Sequence, residues 1–284
     1  MIRLCIFFGV TRQAYYKGLK QREHEAVQEE LIIKLVQQVR RSNKKMGGKK
    51  LYWLLREDIH GIDASMGRDK FFSLLRECGL LVQRRRKYAI TTQSYHRFRV
   101  YTNKLLDFTP ERPHHVWVCD ITYVRIKHGF VYLFLITDAY SRKIVGWELS
   151  NSLGLGGALR SLGMAIRQCP SPNGLIHHSD RGFQYCSNEY VERLTAKGIE
   201  ISMAEAGNCY ENAMAERVNG ILKSEYGLDE TFADEREARQ CVREGIKAYN
   251  EKRPHWSLNL QIPAIVHGLA NARTEEKVST FVRT

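Results

Sequence analysis

Residues 116–150, "VWVCDITYVRIKHGFVYLFLITDAYSRKIVGWELS", decide how the rest of the chain is read. "VWVCDITYVRI" alternates as a half-buried strand does, "KHG" turns it, "FVYLFLITDA" is apolar enough for a buried strand, "YSR" turns again, and "KIVGWELS" supplies a third strand. A different rhythm follows. A helical stretch spans 155–168, then come a short strand "LIHHS" at 175–179, a helix "NEYVERLTAKG" at 188–198 and a strand "IEISMA" at 199–204. Two helices close the series, Glu211–Tyr226 and Asp234–Asn250.

Three hairpin-linked strands followed by alternating helix and strand make an α/β domain, a mixed five-stranded sheet with flanking helices. That order is the ribonuclease H-like arrangement. Within it Asp120 is central in the first strand, Asp180 ends the fourth, and Glu216 lies on the helix that starts near Glu211. The three carboxylates can converge on one edge of the sheet. Asp120 sits in "WVCDITY" among core-type residues, where a lone aspartate is costly unless paired or metal-bound. Asn212, Asn219, Gly220 and Lys223 fall at i−4, i+3, i+4 and i+7 from Glu216 and share its helix face. Small and polar neighbours of that kind admit a substrate backbone. Hard oxygen ligands suit Mg²⁺, with Mn²⁺ substituting. Two such ions per site, roughly 3.5–4 Å apart, can activate an attacking oxygen and stabilise a leaving one in phosphodiester chemistry.

His177 and His178 are the competing ligand candidates. On an alternating strand they face opposite sides and cannot easily share one metal. One is expected to pack and the other to lie near the site, with no ligand role, and Arg181 and Gln184 are candidates for contacts to a substrate backbone. Seven cysteines are scattered singly with no paired spacing of the zinc type, so they are expected to be reduced and mostly buried.

Charge is unevenly placed. Residues 1–110 hold 23 Lys and Arg against 10 Asp and Glu, while 111–284 hold 21 against 21, so the whole excess of 13 lies in the first part. A basic amino-terminal part is expected to meet a polyanion, nucleic acid, although a solvated basic surface has the same composition. That part reads as helical. "FGVTRQAYYKGLK" pairs a turn with a Thr11 cap and a short segment carrying Arg12, in the shape of a helix-turn-helix half. An amphipathic run over 25–41 and two shorter segments after Gly47 and Ser65 follow. "QRRRKYAITTQSYHRFRVYTNK", 83–104, has neither periodicity. It interleaves Arg84, Arg85, Arg86, Lys87, Arg97, Arg99 and Lys104 with aromatic rings, as a segment lying along a phosphate backbone would. The expected domains are a helical DNA-binding region at 1–82, a basic linker at 83–110, a catalytic core at 111–268 and a tail at 269–284. The longest apolar runs fall well short of the roughly 20 residues of a membrane span, and no signal peptide fits the start. A cytoplasmic, nucleoid-associated protein is expected.

"WVCDITY", "HSDRGFQY" and "GNCYENAMAERVNGILKSE" stand in order, with 35 residues between Asp180 and Glu216, and "YNEKRPHWSL" follows at 249–258. Together they resemble the second-frame (OrfB) transposases of bacterial insertion sequences, DDE enzymes related to retroviral integrases. The resemblance extends over nearly the whole chain, since "VTRQAYYK" and the segments over 48–81 look like that family's amino-terminal DNA-binding region. It implies that Asp120, Asp180 and Glu216 are the catalytic, metal-holding triad, and that Lys223 contacts element-end DNA. Asn212, Asn219, Arg181 and Arg253 are further DNA-contact candidates, and Tyr249, Arg253 and His255 either pack behind the site or meet DNA. Cys119 departs from the usual Thr or Ser, Glu211 from Asp, and Trp256 from a smaller residue. The Cys119 change bears on hydrogen bonding around the first metal.

The resemblance further implies water-dependent cleavage at the element ends, then attack by the freed 3′-hydroxyl on another phosphodiester. The implied partners are double-stranded DNA, as terminal inverted repeats and target, and further subunits in a dimer or higher oligomer. An upstream-frame helix-turn-helix and coiled-coil protein is implied as a fusion partner. Two other classes compete: a hydrolytic nuclease of the same fold, and a DNA-binding relic or repressor without activity.

Overall fold

The structure, a computed structural model, describes residues 9, 11–82, 98–106, 108–205 and 213–269. The chain forms two compact units, Met1–Arg85 and Arg86–Thr284.

The first unit is all helical: α1 (Arg12–Ser42), α2 (Gly48–Leu54), α3 (Arg56–Ile62) and α4 (Arg68–Glu77). Instead of a short helix-turn-helix half, α1 runs unbroken for 31 residues, with the Thr11 hydroxyl accepting from the Ala14 amide at 3.1 Å. Good helix formers fill Lys20–Glu30, and the lone Gly18 is tolerated in so long a segment. Only the second half of α1 is buried, through Ile32 and Val36, which pack with Leu51, Ile59, Phe71 and Leu75. The turns before α2 and α4 are near copies. Asn43 and Asp63 end the preceding helices with similar backbone angles, φ near −140° in both, Met46 and Met66 plug the core, and Gly47 and Gly67 open the next helix. "MGGKKLYWLL" and "MGRDKFFSLL" repeat the pattern twenty residues apart, with Lys50 matching Lys70.

The second unit contains β1 (Val116–Ile126), β2 (Gly129–Asp138), β3 (Ile144–Ser150), α5 (Leu155–Arg167), β4 (Ile176–Ser179), α6 (Phe183–Cys186), α7 (Asn188–Thr195), β5 (Glu200–Met203), α8 (Ala213–Tyr226), β6 (Thr231–Phe232) and α9 (Glu235–Lys252). A 3-10 turn over Trp256–Leu258 and a helical segment at 263–269 follow. Strand order is β3-β2-β1-β4-β5, with β1 to β3 antiparallel and β4 and β5 parallel to β1, which is the ribonuclease H-like arrangement. A sixth strand, β6, adds two parallel pairs to the far end of β1.

Alternation along β1 divides the core. Trp117 and Cys119 face α5 and α7, together with Leu162, Tyr190 and Leu194. Val124 faces α8 and α9, together with Val218, Leu222 and Tyr249. Both faces of the central strands are therefore covered. On the α5 side β3 approaches very closely: a Cβ on Gly146 would collide with the Ser161 carbonyl, and one on Gly157 with the Phe134 ring. Lys104, expected along a phosphate backbone, is docked on β5 instead. Its amide donates to Ser202 Oγ at 2.9 Å and its ammonium pairs with Glu200 at 2.6 Å. Of the five described cysteines, all free thiols, Cys119 and Cys186 are buried, Cys169 and Cys241 partly so, and Cys78 is exposed. Burial is thus less general than expected, because Cys78 ends α4 at the surface. No described helix is long and apolar enough to cross a membrane.

Candidate active site

β1 is a forked strand. On one edge it pairs with β4 only through Val116–Val118, and with β6 only through Arg125–Ile126. Between those partners Asp120 and its neighbours border a gap among the described strands. The Ile121 amide donates to Asp120 Oδ1 at 2.8 Å, and Asn219 Nδ2 of α8 donates to Asp120 Oδ2 at 2.6 Å. Both carboxylate oxygens are therefore held. Asn219 is itself buried, and its Oδ1 has no hydrogen-bond partner among the described residues.

Asp180 follows directly on β4, where its Oδ1 accepts from the Gly182 amide at 3.0 Å. Glu216 lies in the first turn of α8, one helical turn before Asn219. Burial and the Asp180 charge push the Asp120 pKa up to about 7, with Glu216 adding to the rise; the Ile121 and Asn219 hydrogen bonds oppose it. The three carboxylates thus stand within electrostatic reach of one another. Lys223, two turns along α8, is partly buried. Burial lowers its pKa, while Asp120 and Asp229 pull it back up. Among the described residues no three His, Cys, Asp or Glu side chains are gathered tightly enough to enclose an ion. The donor set nevertheless fits a hard divalent cation: carboxylate oxygens crowded enough to resist joint ionisation, beside a buried amide oxygen left without a partner.

Two models described as integrase core domain match the chain, at residues 110–209 and 197–263. A Shigella sonnei protein, the "Insertion element IS600 uncharacterized 31 kDa protein", is 36% identical over 92% of this chain and 96% of its own length. The "Transposase for insertion sequence element IS629" of the same organism is 32% identical over 88% of this chain and 85% of its own. The chain belongs to the insertion-sequence transposases with an integrase core domain. Among solved structures, the catalytic core domain of HTLV-2 integrase in complex with magnesium matches at TM-score 0.45 and 19% identity, over 55% of this chain and 97% of that one.

The remaining residues expected at the DNA face of this transposase divide sharply. Arg253 is not at a DNA surface: it is buried, and its guanidinium forms a bidentate pair with Glu225 at 2.7 and 2.8 Å over the Tyr249 ring. His255, partly buried, bonds the hydroxyl of Tyr249, which is fully buried in the core between α9, α8 and the sheet, at 3.1 Å. His178 is packed and not at a DNA surface. It is fully buried and bonds Ser202 Oγ at 2.9 Å, because β4 lies between β1 and β5 with both faces covered. His177 is buried between Cys119 Sγ and the Tyr190 hydroxyl, each 2.9 Å away, and burial lowers its pKa to about 3. Cys119 therefore faces α7, on the side of the sheet away from Asp120. Gln184 is also buried, donating to the Leu153 carbonyl at 2.7 Å. Arg181 Nε donates to the Ala204 carbonyl at 2.9 Å and is partly exposed. Asn219, expected at a DNA surface, is instead the residue that holds Asp120. Its i+3 spacing from Glu216 was the signal for that place. Arg12 stacks on Tyr16 and Arg99 on Tyr101, at 5.7 and 5.2 Å. Arg84, Arg85, Arg86, Lys87, Arg97 and Asn212 lie outside the described residues.

Proposed function

We propose that the chain is a DDE transposase in which Asp120, Asp180 and Glu216 hold divalent cations, Mg²⁺ or Mn²⁺, two per site. The observation that carries this reading is the setting of Asp120, both of whose oxygens are fixed by Ile121 and Asn219 beside Asp180 and Glu216, where burial first and the Asp180 charge second raise its pKa. A buried, electrostatically coupled carboxylate at a gap in a sheet edge supports a functional role for the cluster. When bound, the cations supply electrophilic stabilisation at phosphorus and at the attacking and leaving oxygens. Asn219 fixes the Asp120 carboxylate, and Lys223 contributes a positive charge for the DNA backbone along the same helix face.

The proposed reaction has two displacements at phosphorus. Water oxygen attacks a phosphodiester at the element end, the P–O3′ bond breaks, and the 3′-oxygen leaves as a hydroxyl. That hydroxyl then attacks a second phosphodiester and displaces another 3′-oxygen, with no enzyme-linked intermediate. Double-stranded DNA is the substrate, at least two subunits hold the two ends, and an upstream-frame fusion is the proposed active form. Tested on a labelled duplex carrying the element's end, with Mg²⁺, Mn²⁺ or EDTA, the fused chain should nick and join DNA only with metal, the unfused chain should do so weakly or not at all, and Glu216→Gln in the fusion should do neither. Nicking without joining would mean a hydrolytic nuclease; binding without either would mean a relic.

A further inference from the structure

On the sheet face opposite Asp120, α5 and α7 border a groove of about 480 Å³. Its floor is built from a repeated pair on α5: Gly156 with Arg160, and Gly163 with Arg167. Helical side chains lean toward the N-terminus, so each guanidinium lies back over the glycine one turn earlier. The Nη1 atoms of Arg160 and Arg167 stand 3.2 and 3.6 Å from where a Cβ on Gly156 and Gly163 would sit. Absent side chains at those two positions leave the guanidinium planes room to rest on the helix. Seven residues separate the pairs, about 10 Å along the helix axis. Arg193 closes the groove from α7, its Nη1 at 3.5 Å from the Leu159 carbonyl.

Little negative charge answers these groups. Glu148 reaches Arg160 at 3.4 Å, but it is shared with Arg239 at 3.3 Å. Arg167 has no ion-pair partner among the described residues. Since residues 111–284 carry equal numbers of acidic and basic side chains, three arginines in one groove are a matter of placement, not of overall composition. Arginine forks matched to an open, elongated groove suit phosphate oxygens on a repeating backbone.

We infer that the α5–α7 groove is a second DNA-backbone site, separate from the carboxylate cluster, which holds a duplex irrespective of its sequence. It goes beyond the transposase reading and rests on that reading only for the identity of the polyanion. In a transposase it would serve the DNA that is not being cut at the element end.

The test is a full-length triple variant, Arg160→Gln with Arg167→Gln and Arg193→Gln, beside the matching triple Lys variant. Both are compared with wild type in binding to a fluorescent 30-base-pair duplex of arbitrary sequence over a salt series. Each lost phosphate contact lowers the slope of log K against log salt by about 0.9, so the Gln variant should lose about 2 to 3 from the slope. The Lys variant should retain most of it, and thermal melts should coincide. Metal-dependent nicking of an element-end duplex should persist in all three. An unchanged slope overturns the inference, and so does a loss of self-association in the Gln variant with no change in slope, which would make the groove a contact between copies. If neither these proteins nor their upstream-frame fusions nick DNA yet the slope still falls, the groove stands and the transposase reading fails.

Discussion

At the residue scale, Asn219 is the most informative side chain. Its amide fixes Asp120 Oδ2 and also lowers the Asp120 pKa. Asn219→Ala should cut metal-dependent nicking by roughly 10- to 100-fold, with a matching loss of metal affinity. It should also move the acid limb of the pH–rate profile upward, a shift that a purely structural role would not produce. Asp120 itself gives a stability prediction. Its native pKa, about 7, lies above the ordinary carboxylate value of 3.8, so the native state holds this proton more tightly than the unfolded chain. The resulting stabilisation is full below about pH 4 and is lost as pH rises through 7. In EDTA, Asp120→Asn should therefore melt on the order of 5 °C above wild type at pH 8, with the gap closing toward pH 5; a constant gap would refute the assignment. The nearness of Asp120, Asp180 and Glu216 could be anticipated from their motifs; that Asn219 shares the Glu216 face was legible too, but not that it would hold Asp120 instead of meeting DNA. The choice between packing and DNA contact for Arg253 and His178 was not legible, because it is set by Glu225 on α8 and Ser202 on β5, partners 28 and 24 residues away that no local pattern reveals.

At the scale of elements, β1 to β3 could be read because alternation and turn residues are local signals. α1 was underread: the short segment after Thr11 and the amphipathic run over 25–41 read as separate pieces, yet they form one continuous helix. The Met-Gly repeat before α2 and α4 was present in the sequence, but its meaning needs the two plugs, Met46 and Met66, seen in one core. β6 is two residues long and carries no period, so only the sheet discloses it. The tight β3–α5 junction provides a sharp test. Gly146→Ala would drive a methyl into the Ser161 carbonyl, and neither backbone can yield without moving an element. We expect a loss of about 2–4 kcal/mol in urea unfolding, against a gain of roughly 0.5–1 kcal/mol for the exposed helical control Gly220→Ala.

At the scale of the molecule, two units with separate hydrophobic cores divide the work that the charge distribution suggests. The excess of 13 positive charges belongs entirely to residues 1–110. A chain beginning at residue 98 should therefore keep the thermal transition of the sheet unit while losing most of the salt-dependent affinity for duplex DNA. Circular dichroism and anisotropy measure the two separately, and an unfolded fragment would show that the sheet unit depends on what precedes it. The charge division was plain from composition. The division of cores was less so, because charge says nothing of packing.

The forked edge of β1 has a spectroscopic consequence. Where a continuous ladder would have bound the Ile121 amide to a neighbouring carbonyl, that amide is tied to the Asp120 carboxylate. Its proton is thus a resident probe of the acid beside it. In a ¹⁵N-resolved spectrum the Ile121 cross-peak should titrate with a midpoint near 7, follow added Mg²⁺ in a saturable way, and do neither in Asp120→Asn.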